Sequence, residues 1–136
     1  MIAITNLTKT IIDEGLFAQV AKNIFKGENI RDEKEISVVF VDSAKMEDLN
    51  KEYRKIDRPT DVLSFIGEGD LLGEIVICPA EVRKNAKDSK SSFKKESVFV
   101  FIHGVLHLLG YDHGTSQADA DKMRLAEKKY LAQVNF

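Results

Sequence analysis

The chain has 136 residues, 43% of them hydrophobic and 31% charged, which is the composition of one globular domain, 1–136, large enough to bury a core without disulfide staples. A net charge of −2 excludes binding by bulk positive charge, and the one cysteine, Cys78, excludes an intrachain disulfide and fits a reducing compartment. MIAITNLTKTIIDEG lacks a basic start followed by a long apolar core, and every apolar run is short of a membrane span. A soluble cytoplasmic protein with no membrane partner is therefore expected.

In chain order, residues 9–26 read as an amphipathic helix, with Ile12, Leu16, Val20 and Ile24 at every fourth position. EISVVFV, 35–41, reads as a largely buried strand. Asp42 or Ser43 is placed to cap a helix whose inner face would carry Met46, Leu49 and Tyr53. Residues 57–61, DRPTD, form a turn before the short strand VLSFI, and GEGD is a loop before LLGEIVIC, a further strand. Pro79 suits the first turn of another helix. Ser91 or Ser92 is placed to cap the next, which is predicted to continue through VFVFI because the apolar stretch to Leu109 is too long for a usual strand. Ser116 is placed to cap a last helix with Met123, Ala126, Tyr130 and Val134 inward. The fold class expected is α+β, a small mixed sheet of three to four strands packed with about five helices.

Two groups of cations stand out. Residues 83–95, RKNAKDSKSSFKK, hold six basic residues against one acid, and Lys51, Arg54, Lys55 and Arg58 form a second group. Each alone reads as a solvated helix face; together they suggest a shared basic surface, and the first, preceding the histidine helix, is placed to flank a cleft there.

All three histidines fall in HGVLHLLGYDH, 103–113. His103 and His107 are one helical turn apart and project from one face. Gly110 can take the left-handed backbone that ends a helix, so the chain can fold back and bring His113 to the same ion. Three histidines leave a fourth position for water, the arrangement of a catalytic zinc site on a zincin-like helix. The spacing matches the ligand half of the metzincin protease signature, but Gly104 stands where that signature has its glutamate base. A general base must then come from elsewhere, or hydroxide on the metal must suffice. Asp112 suits either orientation of a ligand or a turn, and Cys78 suits packing better than ligation.

HGVLHLLGYDH resembles the signature of the YbeY family of bacterial endoribonucleases, the rRNA maturation factors. YRKIDRPTDVLSF, 53–65, resembles the family's second block, and GEIVIC, 73–78, its GDIxIC strand. Ile66 replaces a common proline, the loop from Gly67 to Leu71 is short, and Glu74 replaces the usual aspartate. These departures bear on loop shape and edge contacts, not on the metal site.

The resemblance implies one zinc-like ion per chain on His103, His107 and His113; nickel or another divalent transition metal is also compatible with imidazole. It implies a single-strand-specific endoribonuclease active in rRNA processing, including maturation of the 16S rRNA 3′ end, and in ribosome quality control. The partners implied are rRNA and ribosomal particles. It also implies a catalytic Arg54, whose guanidinium can bind two phosphate oxygens at once; from the residues alone Arg54 reads as a helix-end cation. Two other readings stand beside it: a metzincin-like hydrolase of another substrate such as a peptide, and a non-enzymatic ribosome-associated metal protein.

Overall fold

The computed structural model describes residues 1–112 and 114–136. The elements run β1 (Ile2–Asn6), α1 (Glu14–Gly27), β2 (Glu35–Phe40), α2 (Ser43–Arg54), β3 (Val62–Ile66), β4 (Leu71–Ile77), α3 (Pro79–Asp88), α4 (Phe93–Leu108) and α5 (Gln117–Ala132). The four strands form one sheet in the order β1-β2-β4-β3. β1, β2 and β4 are parallel; β3 pairs antiparallel with β4 from Val62↔Ile77 to Ile66↔Gly73 and forms one edge. The fold is α+β, as expected.

Side-chain alternation divides the core. Ile36, Val38 and Phe40 of β2 and Ile75 and Ile77 of β4 face α1, α4 and α5. Val76, Cys78 and Leu63 face the other way and pack with Met46 of α2. The sheet therefore has α4 on one face and α2 on the other. α4 lies innermost: Val98, Phe101, Ile102, Val105 and Leu106 are all fully buried. A helix so apolar on most of its circumference belongs in a core, and the helical reading of VFVFI holds.

Side-chain caps set three of the helix starts near the expected residues. Asp42 Oδ1 accepts from Lys45 N at 2.9 Å, Ser92 Oγ from Lys95 N at 3.0 Å, and Ser116 Oγ from Asp119 N at 3.1 Å.

Two expectations are corrected and one strand is added. The first helix begins at Glu14, not residue 9, because Asp13 caps it and Asn6 holds a turn through Thr8 N and Thr10 O. Ile2 and Ile4 alternate on β1, a strand masked in the sequence by its shortness and by an exposed edge. Tyr53, expected to point inward, is 58% exposed. At the last turn of α2 the Tyr53 ring meets Phe65 of the edge strand. Among the described residues no helix is long and apolar enough to cross a membrane.

Candidate metal centre

The histidine turn is positioned by how closely α4 lies on the sheet. Gly104 is buried, and a Cβ at that position would stand 3.1 Å from both Ile75 Cγ2 and Ser64 Oγ. The face of α4 that carries Gly104 thus rests on β3 and β4, and a glutamate there would run into the sheet. Close packing is the physical reason that the metzincin base position is a glycine. A second glycine, Gly73, gives room to Leu108: its Cβ would meet Leu108 Cδ2 at 2.5 Å.

On the outward side, His107 is exposed and His103 is partly so, with 32% of its side chain accessible. His103 Nδ1 lies 2.9 Å from Oε2 of Glu127, which reaches across from α5 and is itself buried. A carboxylate only accepts, so Nδ1 carries the proton and donates it. A proton on Nδ1 leaves the lone pair of the ring on Nε2, and a carboxylate behind the opposite nitrogen is common for metal-bound histidine. The chemistry of this donor set fits a divalent transition metal: two imidazoles on one exposed turn, one oriented by a buried carboxylate.

α4 ends as the spacing requires. Gly110 has φ 98°, and the Tyr111 and Gly110 amides donate to the carbonyls of Leu106 at 3.0 Å and His107 at 3.1 Å. Beyond it, the Tyr111 hydroxyl donates to Glu28 Oε1 at 2.7 Å, and the Tyr130 hydroxyl donates to the other oxygen of the same carboxylate. Gly27 makes this approach possible, since a Cβ there would stand 2.3 Å from the Tyr130 oxygen. Burial, reinforced by Glu28, pushes the Tyr111 hydroxyl up to about 12 and raises that of Tyr130 as well. The segment after the helix is therefore tied to the end of α1 and to α5. Asp112 Oδ1 accepts from Gly114 N at 2.8 Å, which is a turn role. His113, the third expected ligand, lies outside the described residues.

The other candidates stand elsewhere. Arg54 is exposed at the end of α2, the helix on the opposite face, with β3 between it and the histidine turn. Cys78 is fully buried before α3, with its sulfur 3.8 Å from Ser43 Oγ. The basic run 83–95 does not flank the histidines. Lys95 precedes His103 by about 12 Å along α4, given the rise per residue, and Arg83 instead bonds Thr10 and stacks on Phe93. Sequence reasoning missed Glu127 and Glu28. Glu127 carried a readable signal, an acid adjoining the inward positions Met123, Ala126 and Tyr130; Glu28 carried none, since its partners are 83 and 102 residues away.

Comparison with known proteins gives a consistent result. Residues 3–135 match the family model described as Endoribonuclease YbeY. The chain is 38% identical over 149 residues to the endoribonuclease YbeY of Pelotomaculum thermopropionicum, covering 99% of this chain and 97% of that protein. It is 39% identical to that of Acholeplasma laidlawii, covering 88% of each. A solution structure of a Thermotoga maritima protein superposes with a TM-score of 0.69 at 36% identity, covering 96% of this chain and 87% of that one.

Proposed function

The chain belongs to the endoribonuclease YbeY family, and on that premise we propose that it is a metal-dependent, single-strand-specific endoribonuclease acting on ribosomal RNA in the cytoplasm, within rRNA processing and quality control. The observation that carries the metal-centred reading is the buried Glu127 carboxylate 2.9 Å from His103 Nδ1. A buried carboxylate is costly unless it is hydrogen-bonded, and a bond to Nδ1 fixes an imidazole as a metal ligand requires.

In this reading His103, His107 and His113 hold one divalent cation, with zinc the first choice for three imidazoles and an open position. When bound, the cation supplies Lewis acidity toward water and toward a phosphoryl oxygen. The chain supplies the rest. Glu127 fixes the tautomer and direction of His103. The Glu28–Tyr111 bond and the Gly110 turn fix where the chain leaves α4 toward His113. Arg54, across β3 from the histidine turn, takes its role from the family resemblance alone: its guanidinium binds phosphate oxygens of an RNA strand that passes the edge of the sheet. Gly104 keeps carboxylates out of the helix face, which argues against a peptide hydrolase built on a glutamate base.

The test is metal content by elemental analysis, paired with cleavage of a single-stranded RNA, on wild type and His107→Ala. About one metal per chain with metal-dependent cutting, both lost in the variant, is expected. A stoichiometric metal without cutting of free RNA or of ribosomal particles would overturn the enzymatic reading. A metal-free protein that still cuts would overturn the site.

A further inference from the structure

The end of α2 holds an aromatic that the core does not use. Tyr53 is 58% exposed, yet its ring is braced edge-on by Phe65 of β3, with centroids 5.0 Å apart and planes at 68°. Phe65 itself belongs with the half-buried residues against Met46 and Leu63. The brace restricts Tyr53 while much of its ring remains open to solvent.

The surroundings of Tyr53 are cationic. Lys51, Lys55 and Arg58 are exposed, and among the described residues none of them forms an ion pair. Residues 51–58 hold four cations and two acids in a chain whose net charge is −2. The helix dipole accounts for Lys51 and Arg54 in the last turn, but Lys55 and Arg58 lie beyond it. Their backbone is held in place. Lys55 caps the helix in the left-handed region at φ 59°, the Ile56 amide donates to Asn50 O at 3.3 Å, and the buried Asn50 amide donates to Arg58 O at 2.8 Å.

This surface adjoins the candidate metal centre around one strand. Leu63 and Phe65 face α2, whereas Ser64 faces α4, close to Gly104 between the histidines. Among the described residues the outer edge of β3 pairs with no strand.

We propose that Tyr53 is a base-stacking platform for single-stranded RNA, with Lys51, Lys55 and Arg58 tracking the phosphates on either side; this inference rests on the endoribonuclease reading above. A base can lie on an exposed ring only when it is unpaired, so the platform accepts single strands and excludes duplex. An aromatic among cations is the chemistry that single-stranded nucleic acid requires: rings take the bases and ammonium or guanidinium groups take the backbone. Leu125, at 69% exposure, is aliphatic and offers a base no π face.

The experiment is fluorescence anisotropy of wild type, Tyr53→Phe, Tyr53→Trp and Tyr53→Leu with a labelled 2′-O-methyl oligoadenylate and with the same strand carrying abasic positions. Leucine keeps an apolar contact with Phe65 but has no π face. Tyr53→Leu is expected to weaken binding about tenfold on the intact strand, with little change on the abasic one. Phenylalanine is expected to match wild type and tryptophan to bind more tightly, a gain that lost stability cannot imitate. Equal affinity of wild type and Tyr53→Leu, or an equal loss on both strands, would overturn the platform. Wild type that neither binds the intact strand nor cuts single-stranded RNA would overturn the endoribonuclease reading itself, which a silent Tyr53 would leave standing.

Discussion

The buried carboxylate of Glu127 and the imidazole of His103 meet at 2.9 Å across the α4–α5 interface, 24 residues apart in the chain. The pair joins the packing of the last helix to the direction of a candidate ligand. Glu127→Ala should weaken zinc or nickel binding about 10- to 100-fold, read by competition with a chromophoric chelator. Glu127→Gln, whose amide oxygen still accepts from Nδ1–H, should recover much of that affinity. An alanine variant with wild-type metal affinity would remove Glu127 from the site.

Gly104 sets the distance of the histidine turn from the sheet. Gly104→Ala should gain about 1 kcal/mol of helix propensity and lose about 1–3 kcal/mol to overpacking against Ile75 and Ser64, for a net loss of stability. Urea melts of metal-free protein measure the balance, and a variant about 1 kcal/mol more stable than wild type would mean that the contact costs nothing.

Glu28 is the shared acceptor of two tyrosine hydroxyls. Glu28→Ala should cost about 1–3 kcal/mol, because both partners lose an acceptor at a partly buried position. The alkaline side gives a second readout. The Tyr130 hydroxyl is raised above its ordinary value of 10.0, first by burial and then by Glu28. A raised folded value means that the folded state holds its proton longer. The stability from this group is therefore complete below about pH 10 and declines as pH rises past it. Tyr130→Phe should flatten that decline in melts between about pH 9 and 11; an unchanged slope would discount the bond.

Arg54 is exposed, and among the described residues it forms no ion pair. Arg54→Ala should leave stability within about 0.5 kcal/mol and metal content intact while lowering turnover of single-stranded RNA. Turnover equal to wild type would take Arg54 out of the mechanism. A lowered melting point would instead point to a structural role at the end of α2.

Much of the fold was readable because its signals are local. Asp42, Ser92 and Ser116 each bond an amide three residues on, so their caps can be seen in the sequence. His103 and His107 share a face by helical period alone, and the left-handed turn at Gly110 follows from the absence of a Cβ. β1 and the start of α1 were harder. A five-residue edge strand has too few positions for its alternation to stand out, and Ile12 prolongs a helical period that Asp13 interrupts with a cap.

By itself, the sequence determined the helix that carries His103 and His107, the cationic segment around Arg54 and the lack of a glutamate at position 104. Each is a matter of residue type and short spacing. Only the tertiary structure decided why position 104 is glycine, which acid holds His103, where the basic run 83–95 ends up and why Tyr53 stays on the surface. These depend on which elements pack together, through partners tens of residues apart or on the opposite face of a sheet. Side-chain periodicity marks which face of an element is buried, but it does not say what that face will meet.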